Sequence, residues 1–283
     1  MALTAQDFAF VSDLVRRESA IVLAPGKEYL VEARLLPLAR KAGVATVSEF
    51  VSRAKQRPER TAQWSIVEAL TTNETSWFRD HEPFAMFTDL VLPQLRAARS
   101  ATRTLRVWSA ACSSGQEPYT IAMVLADVLP AGWIHEIMAT DLSTQMIARA
   151  SAGRFSQLEM NRGLPAAMLV RHFERVGHNW QVSRSLRKNI SFRSINLATP
   201  LPALPPFDVI FLRNVLIYFD LETKRSVLRR IRSLLAPDGW LFLGSAETTI
   251  GVDGDFERAV AGKTSAYRLR ATQTAAAGAL GKR

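Results

Sequence analysis

Glu117 stands just beyond a run of small residues, "SAACSSG" (109–115), and Asp141 closes the apolar stretch "IHEIMATD". Small side chains let backbone N–H groups approach a ligand, and an acid at the head of the next segment suits a cationic group such as an ammonium. A pyrophosphate would call for the glycines of G-x-G-x-x-G, whereas this run holds only Gly115. Asp141 occupies the place where nucleotide-binding sheets put an acid for ribose hydroxyls, though farther from Gly115 than the roughly 20 residues of the dinucleotide fingerprint. Each acid also has a plainer reading, Glu117 as complement to a helix dipole and Asp141 as an N-cap. Asn196 in "INLATP", and Asn214 and Tyr218 in "FLRNVLIYFD", are polar groups at the ends of later apolar runs. "TTNETSWFRD" gathers Asn73, Thr75, Trp77 and Arg79 into a few residues, either a binding strip or a folded hinge.

The elements that must position these groups fall into two textures. The first ninety or so residues read as helices: "DFAFVSDLVRRE", "EYLVEARLLPLARKAG" with a kink or break expected at Pro37, "TVSEFVSRAKQR" opened by a capping box of Thr46 and Glu49, and "ERTAQWSIVEALT". From about residue 104, apolar strands alternate with helices: "TLRVWSA", "IHEIMATD", "ISFRSINL", "FDVIFLRN" and "GWLFLGSAE", with "AYRLR" as a last, edge strand. Such alternation predicts a parallel sheet covered by helices, with ligands beyond the carboxyl ends of the strands. Between 153 and 190 it is interrupted by a helix over "LPAAMLVRHFERV", a turn at "GHN" and a loose hairpin arm over "WQVSRSLRKNISF". This is a small inserted element for specificity, or a structural crossover. "ATQTAAAGALGKR" (271–283) reads as a flexible tail.

Composition narrows the function. The chain has 283 residues, 48% hydrophobic, enough for a full core. No run approaches the roughly 18 apolar residues of a membrane span, and the N-terminus lacks the basic-then-apolar order of a signal peptide, so a cytoplasmic location is expected. One cysteine and four histidines without ligand spacing argue against a metal. A net charge of +10 favours an acidic partner. The excess sits in clusters, eight basic against four acidic residues over 27–60 and six against one over 171–193; any one of them also reads as a solvated helix face.

Taken in order, "TTNETSWFRD", "LRVWSAACSSGQEPYTIAM", "ATDLS", "INL" and "FDVIFLRNVLIYFD" resemble the chemotaxis receptor methyltransferases, the CheR family, over nearly the whole chain. The resemblance implies an α/β fold: a Rossmann-like methyltransferase domain dependent on S-adenosylmethionine, with an inserted small antiparallel β-subdomain and an all-α N-terminal domain. The corresponding boundaries are 1–72 for the helical domain, 73–90 for a linker and first helix contributing to the cofactor site, and 91–270 for the methyltransferase domain with its insertion at about 153–190. It implies cofactor contacts from Asn73, Thr75, Arg79, Glu117, Asp141, Asn196, Leu197, Arg213 and Asn214, with Arg79 and Tyr218 nearest the reacting centre. Glu117 would then meet the methionyl ammonium and Asp141 the ribose. The implied reaction esterifies glutamate side chains on the signalling helices of chemoreceptors, by a monomer working at membrane-bound receptor arrays without entering the bilayer. Two departures are Trp77, where the family commonly has phenylalanine, and Gln116, where a second acid is common. In some members the inserted subdomain binds a peptide at the receptor's extreme C-terminus through a longer, glycine-containing loop; "ERVGHNWQVSRS" looks like a shorter version, so independence from that tether is expected. Arg34, Arg40, Lys41 and Arg53 are candidates to face the acidic receptor helices.

Two rivals remain. A nucleic-acid methyltransferase would suit the charge. However, "LPPFD" precedes its strand and begins with Leu204, unlike the Asp/Asn-Pro-Pro-aromatic motif of base methylation, so no nucleic-acid partner is expected. A non-catalytic adaptor is opposed by the presence of Asn73, Arg79, Glu117, Asp141 and Tyr218.

Overall fold

The computed structural model describes residues 3–56 and 59–270; the tail expected over 271–283 lies outside them. Four helices come first: α1 (Ala5–Ser19), α2 (Glu28–Lys41), α3 (Val47–Gln56) and α4 (Arg60–Leu70). Their apolar stripes close on one core containing Val11, Leu14, Val31, Leu35, Val51, Ile66 and Val67. The Thr4 hydroxyl caps α1 by accepting the Asp7 N–H at 3.1 Å. Burial would raise Asp7, but hydrogen bonds from Lys55, Ser48 and Thr4 overcome it and hold the carboxyl at about 2.

Two local expectations are met only in part. Helix α2 runs through Pro37 without a break. Pro37 and Ala33, whose carbonyl loses its partner, both lie on the exposed face, where water can satisfy the lost bond. Thr46 does cap α3, its hydroxyl accepting the Glu49 N–H at 3.1 Å, but the Glu49 carboxylate turns to Arg53 at 2.8 Å instead of closing a box.

After α4 the chain passes through residues 71–81 into α5 (Glu82–Met86), a π turn (Phe87–Val91) and α6 (Leu92–Ala98). Strand β1 (Thr104–Ala110) leads to α7 (Gln116–Val128), β2 (Ile134–Asp141) and α8 (Thr144–Ala152). An insertion follows: β3 (Arg154–Ser156), α9 (Gln157–Met160), α10 (Ala166–His172), β4 (Phe173–Val176), β5 (Asn179–Val182) and α11 (Arg184–Arg187). The main sheet resumes with β6 (Ile190–Ser194), β7 (Phe207–Leu212), a 3₁₀ turn (Leu216–Tyr218), α12 (Leu221–Leu234), β8 (Leu235–Leu243), β9 (Phe256–Ala261) and β10 (Thr264–Leu269).

The main sheet has the order β6-β2-β1-β7-β8-β10-β9. It is parallel from β6 to β8, while β10 lies antiparallel to both β8 and β9, so the sheet is mixed rather than wholly parallel. "AYRLR" is therefore not the edge; the outer strand is β9, "FERAVA", whose consecutive charges Glu257 and Arg258 gave no strand signal. The inserted sheet is antiparallel, in the order β3-β5-β4. The helix expected over 164–176 stops at His172 because Phe173–Val176 pairs with β5, and the expected hairpin arm is a strand of four residues followed by one helical turn.

The chain moves outward from β1 through β2 to β6, then returns to the other flank of β1 for β7 and β8. The carboxyl ends of the central strands are level, Ala110 lying opposite both Thr140 and Leu212. The segments that follow these strands therefore converge at the point where the strand order reverses, where open α/β sheets bind their ligands.

Candidate functional site

The turn after β1 is shaped by backbone conformations that side chains resist. Ala111 has φ +67°, Ser113 φ +50° and Gly115 φ +101°. At Gly115 a Cβ would fall 3.0 Å from Ala150 Cβ and 3.1 Å from Ala150 Cα, so the lone glycine lets α7 pack against α8. Its role is helix packing rather than phosphate approach.

Asp141 binds this turn to β2. Its carboxylate accepts the N–H of Ser113 at 2.8 Å and of Ser143 at 3.0 Å. The N-cap of α8 is Ser143, which removes the N-cap reading of Asp141. Burial pushes the Asp141 carboxyl above its usual range, against the pull of those N–H groups.

Glu117, in the first turn of α7, accepts the Ser109 hydroxyl at 2.8 Å and Arg213 Nη1 at 3.1 Å. Burial pushes it above the glutamate range, and Arg213 and Ser109 oppose that rise. Arg213 itself is 1% exposed. It also donates from Nη2 to Asp80 Oδ2 and to the Arg79 carbonyl, each at 2.8 Å, and its Nε has no partner. The Arg213 fork thus clamps the 71–81 segment onto Glu117. That segment needs a clamp, because Phe78, Asp80 and His81 all have positive φ, which is costly for residues with side chains.

The same segment is anchored a second time, by Trp77. Its ring, 1% exposed, meets Phe155 and Phe173 of the insertion edge-on, with centroids 4.8 and 5.3 Å apart. The Trp77 backbone N–H donates to the Arg162 carbonyl at 3.1 Å. A Cβ at Gly163 would fall 2.4 Å from the Trp77 carbonyl oxygen, so this close approach requires glycine.

The helical domain closes the site from the opposite side. Glu68 of α4 accepts from the Thr144 N–H (2.8 Å) and from the hydroxyls of Ser143 and Thr144 (3.1 and 3.0 Å), bonding the head of α8. The Asn196 amide donates to the Glu18 carbonyl at 2.7 Å, and the Val22 N–H to the Tyr218 carbonyl at 3.0 Å. Arg34 donates to the carbonyls of Leu70 and Thr71, both at 2.9 Å, and so caps α4. This commitment removes Arg34 from the set of basic residues facing outward.

The result is a cleft at the strand-order reversal, open to solvent on one side. Asn73, Thr75, Arg79, Glu117, Asp141, Asn196, Leu197, Arg213, Asn214 and Tyr218 all line it. Several of these side chains are already engaged: Asn196 with Glu18, Arg79 with the Glu74 carbonyl at 2.9 Å, and Asn73 with Thr71 at 3.2 Å. Sequence reasoning did not single out Ser19 and Ile21, which also line the cleft, nor Glu68. A lone acid in "SIVEALT" carries no signal that it caps a helix far along the chain. Among the described residues no acid, histidine and cysteine cluster could hold a metal, and no helix is long and apolar enough to cross a membrane.

Two buried acids with lone pairs to spare, a crevice at the strand-order reversal and no phosphate-cradling glycines fit a cofactor that brings an ammonium and a ribose but no pyrophosphate. Fold and site together define a Rossmann-like S-adenosylmethionine-dependent methyltransferase.

Comparison with known proteins makes this specific. Residues 73–264 match the CheR methyltransferase SAM-binding domain, and residues 6–71 match the CheR methyltransferase all-alpha domain. The chain is 39% identical over 278 residues to chemotaxis protein methyltransferase 1 of Pseudomonas aeruginosa, covering 95% of this chain and 100% of the relative. It is 38% identical to chemotaxis protein methyltransferase Cher2 of Pseudomonas putida, over 89% of this chain and 93% of that one. The chemotaxis protein methyltransferase of Escherichia coli shares 35% identity over 87% and 86% of the two chains. The chain belongs to the CheR methyltransferase family.

Proposed function

We propose that this methyltransferase esterifies glutamate side chains on the cytoplasmic signalling helices of chemoreceptors, acting as a monomer at receptor arrays. The reading is carried by the near-complete span that the chain shares with chemotaxis protein methyltransferases. It is supported by a cleft to which each residue implied by the resemblance contributes.

When bound, S-adenosylmethionine supplies a methyl group on a sulfonium, activated toward a carboxylate. An acceptor glutamate with an ordinary pKa near 4.3 is already ionised at neutral pH, so the chain needs no general base. Its work is binding, alignment and exclusion of water. Glu117 receives the ammonium and Asp141 the ribose hydroxyls. Asn73, Thr75, Asn196, Leu197 and Asn214 wall the cofactor. Arg213 acts through Glu117, the Arg79 carbonyl and the Asp80 carboxylate, which it already holds. Arg79 and Tyr218 flank the reacting centre, where Arg79 offers charge-assisted hydrogen bonds to a carboxylate. A site of low polarity favours a path along which carboxylate and sulfonium charges cancel.

The turn between β4 and β5 is only Gly177 and His178, which supports independence from a receptor tail tether. Arg40 and Lys41, exposed at the end of α2, and Arg53 on α3 are the outward basic groups proposed to meet acidic receptor helices.

Incubation with methyl-labelled cofactor and either receptor fragments or RNA, followed by alkali, tests the reading. Receptor fragments should take up label that alkali releases as methanol; alkali-stable label on RNA, or no incorporation, overturns it. Arg79→Ala and Tyr218→Phe should lower turnover with the fold intact, and wild-type turnover in both removes their assignment. Micromolar binding of a receptor tail pentapeptide would refute tether independence.

A further inference from the structure

A carboxylate outside the cofactor cleft organises one of its walls. Glu247 stands in the loop after β8. Its Oε2 accepts the N–H groups of Asn214 at 2.8 Å and Gly244 at 2.7 Å. Its Oε1 accepts those of Val215 at 2.9 Å and Ile217 at 3.2 Å. Only Gly244 is a sequence neighbour; the other three donors belong to the loop that runs from β7 into the 3₁₀ turn. That loop brings Asn214, Val215 and Tyr218 to the cleft. It also carries Asn214 in the left-handed region, at φ +58°, a conformation that asparagine tolerates better than most residues.

Gly244 leaves the room for this arrangement. A Cβ there would lie 2.8 Å from Glu247 Oε2, 2.9 Å from the Asn214 nitrogen and 2.7 Å from Asn214 Nδ2. The carboxylate and the loop occupy the space that any side chain at position 244 would take. Backbone N–H groups that point the same way disfavour one another unless an anion gathers them, and Glu247 is that anion.

We propose that Glu247 is a positioning residue for methyl transfer: by gathering the N–H groups of Asn214, Val215 and Ile217 it fixes the loop that presents Asn214 and Tyr218 to the cofactor and acceptor. This rests on the reading above that Asn214 and Tyr218 belong to the reacting site. The charge and the acceptor capacity matter, not the bulk. An amide in place of the carboxylate keeps the shape but turns an NH₂ toward two N–H donors.

The test uses the full chain, with S-adenosylhomocysteine as the calorimetric probe, kcat and KM for a receptor fragment, and thermal melting. Glu247→Gln should weaken probe binding at least about tenfold and lower kcat, with a smaller change in acceptor KM, since hydrogen bonds to a charged acceptor are worth this order. Gly244→Ala, which keeps the carboxylate but crowds it off the amides, should do the same. Arg99→Met, at the far end of the sheet, supplies the control for general destabilisation; it should lower the melting temperature and keep probe affinity. Wild-type binding and turnover in Glu247→Gln, alongside losses in Asn214→Ala and Tyr218→Phe, would overturn the positioning role. So would an affinity loss in Arg99→Met as large as that in Glu247→Gln at equal melting temperature. Wild-type behaviour of Asn214→Ala and Tyr218→Phe, with a loss in Glu247→Gln, would instead overturn the assignment of the loop to the reacting site.

Discussion

Strand β7 has an ionic cluster at each end, part-buried in both cases, and the two are built alike but tuned in opposite directions. At its amino end Asp208 accepts Arg99 Nε at 2.8 Å and the Arg106 N–H at 2.8 Å, while the Arg99 fork grips Asp238 at 2.8 and 2.6 Å. Just past its carboxyl end Arg213 forks onto Glu117 and Asp80. Hydrogen bonds from Arg99 hold Asp238 below the usual carboxylate range, whereas burial lifts Glu117 above its own. Arg213 also keeps a buried Nε without a partner, and its neighbours Asp80 and Asn214 have left-handed backbones. One arginine–carboxylate cluster is satisfied and stabilises the sheet; the other is left short of partners, as a ligand site must be.

The largest expected effect is at the satisfied end. Arg99→Met leaves Asp208 nearly buried without its cation and should cost about 3 kcal/mol of stability in denaturant unfolding, while calorimetry finds cofactor affinity kept. Loss of affinity in a folded Arg99→Met protein would erase the distinction. At the other end, Glu117→Gln should weaken S-adenosylhomocysteine binding by about tenfold or more, with unfolding stability equal to or above that of the wild type.

The pH signs follow from the same contrast. A carboxyl lifted in the folded state, like Glu117, contributes stability below its unfolded value of 4.5 and loses it as pH rises through the folded value. One held low, like Asp238, contributes above 3.8 and loses that contribution as pH falls through its lower folded value. On acidification, probe binding should therefore fade with a midpoint above 4.5, before near-ultraviolet circular dichroism reports loss of the fold. Coincident transitions would mean that the two ends are not separately tuned. The smallest effect belongs to Ser109→Ala. Removing a hydrogen bond that lowers Glu117 should move the binding midpoint to higher pH and cost about 1 kcal/mol of affinity, read from a calorimetric pH series.

The two ends also differed in how far sequence reveals them. Asp141 and Asn214 close apolar runs and Glu117 follows the small-residue turn after another, so the period of the strands places them at a common edge. Arg99 meets Asp238 across 139 residues, and each alone is an ordinary charge at the end of a helix or in a turn. Glu247 stayed hidden for the same reason, as one acid in a polar loop whose partners are backbone groups. Strand β9 was invisible because an edge strand exposes one row of side chains and need not be apolar. Pro37 misled because the rule against proline in helices is a rule about unsatisfied carbonyls, and water relaxes it on an exposed face.

The bonds from the Asn196 amide to the Glu18 carbonyl and from the Val22 N–H to the Tyr218 carbonyl carry a consequence for assembly. They join α1 and the segment just after it to loops far along the sequence, 178 residues later in the case of Asn196. The helical bundle packs from local contacts and can form early, but the cleft has no closed wall until the strands up to β7 are in place. The cofactor cleft is therefore complete only once the helical bundle and the loops after β6 and β7 have packed together.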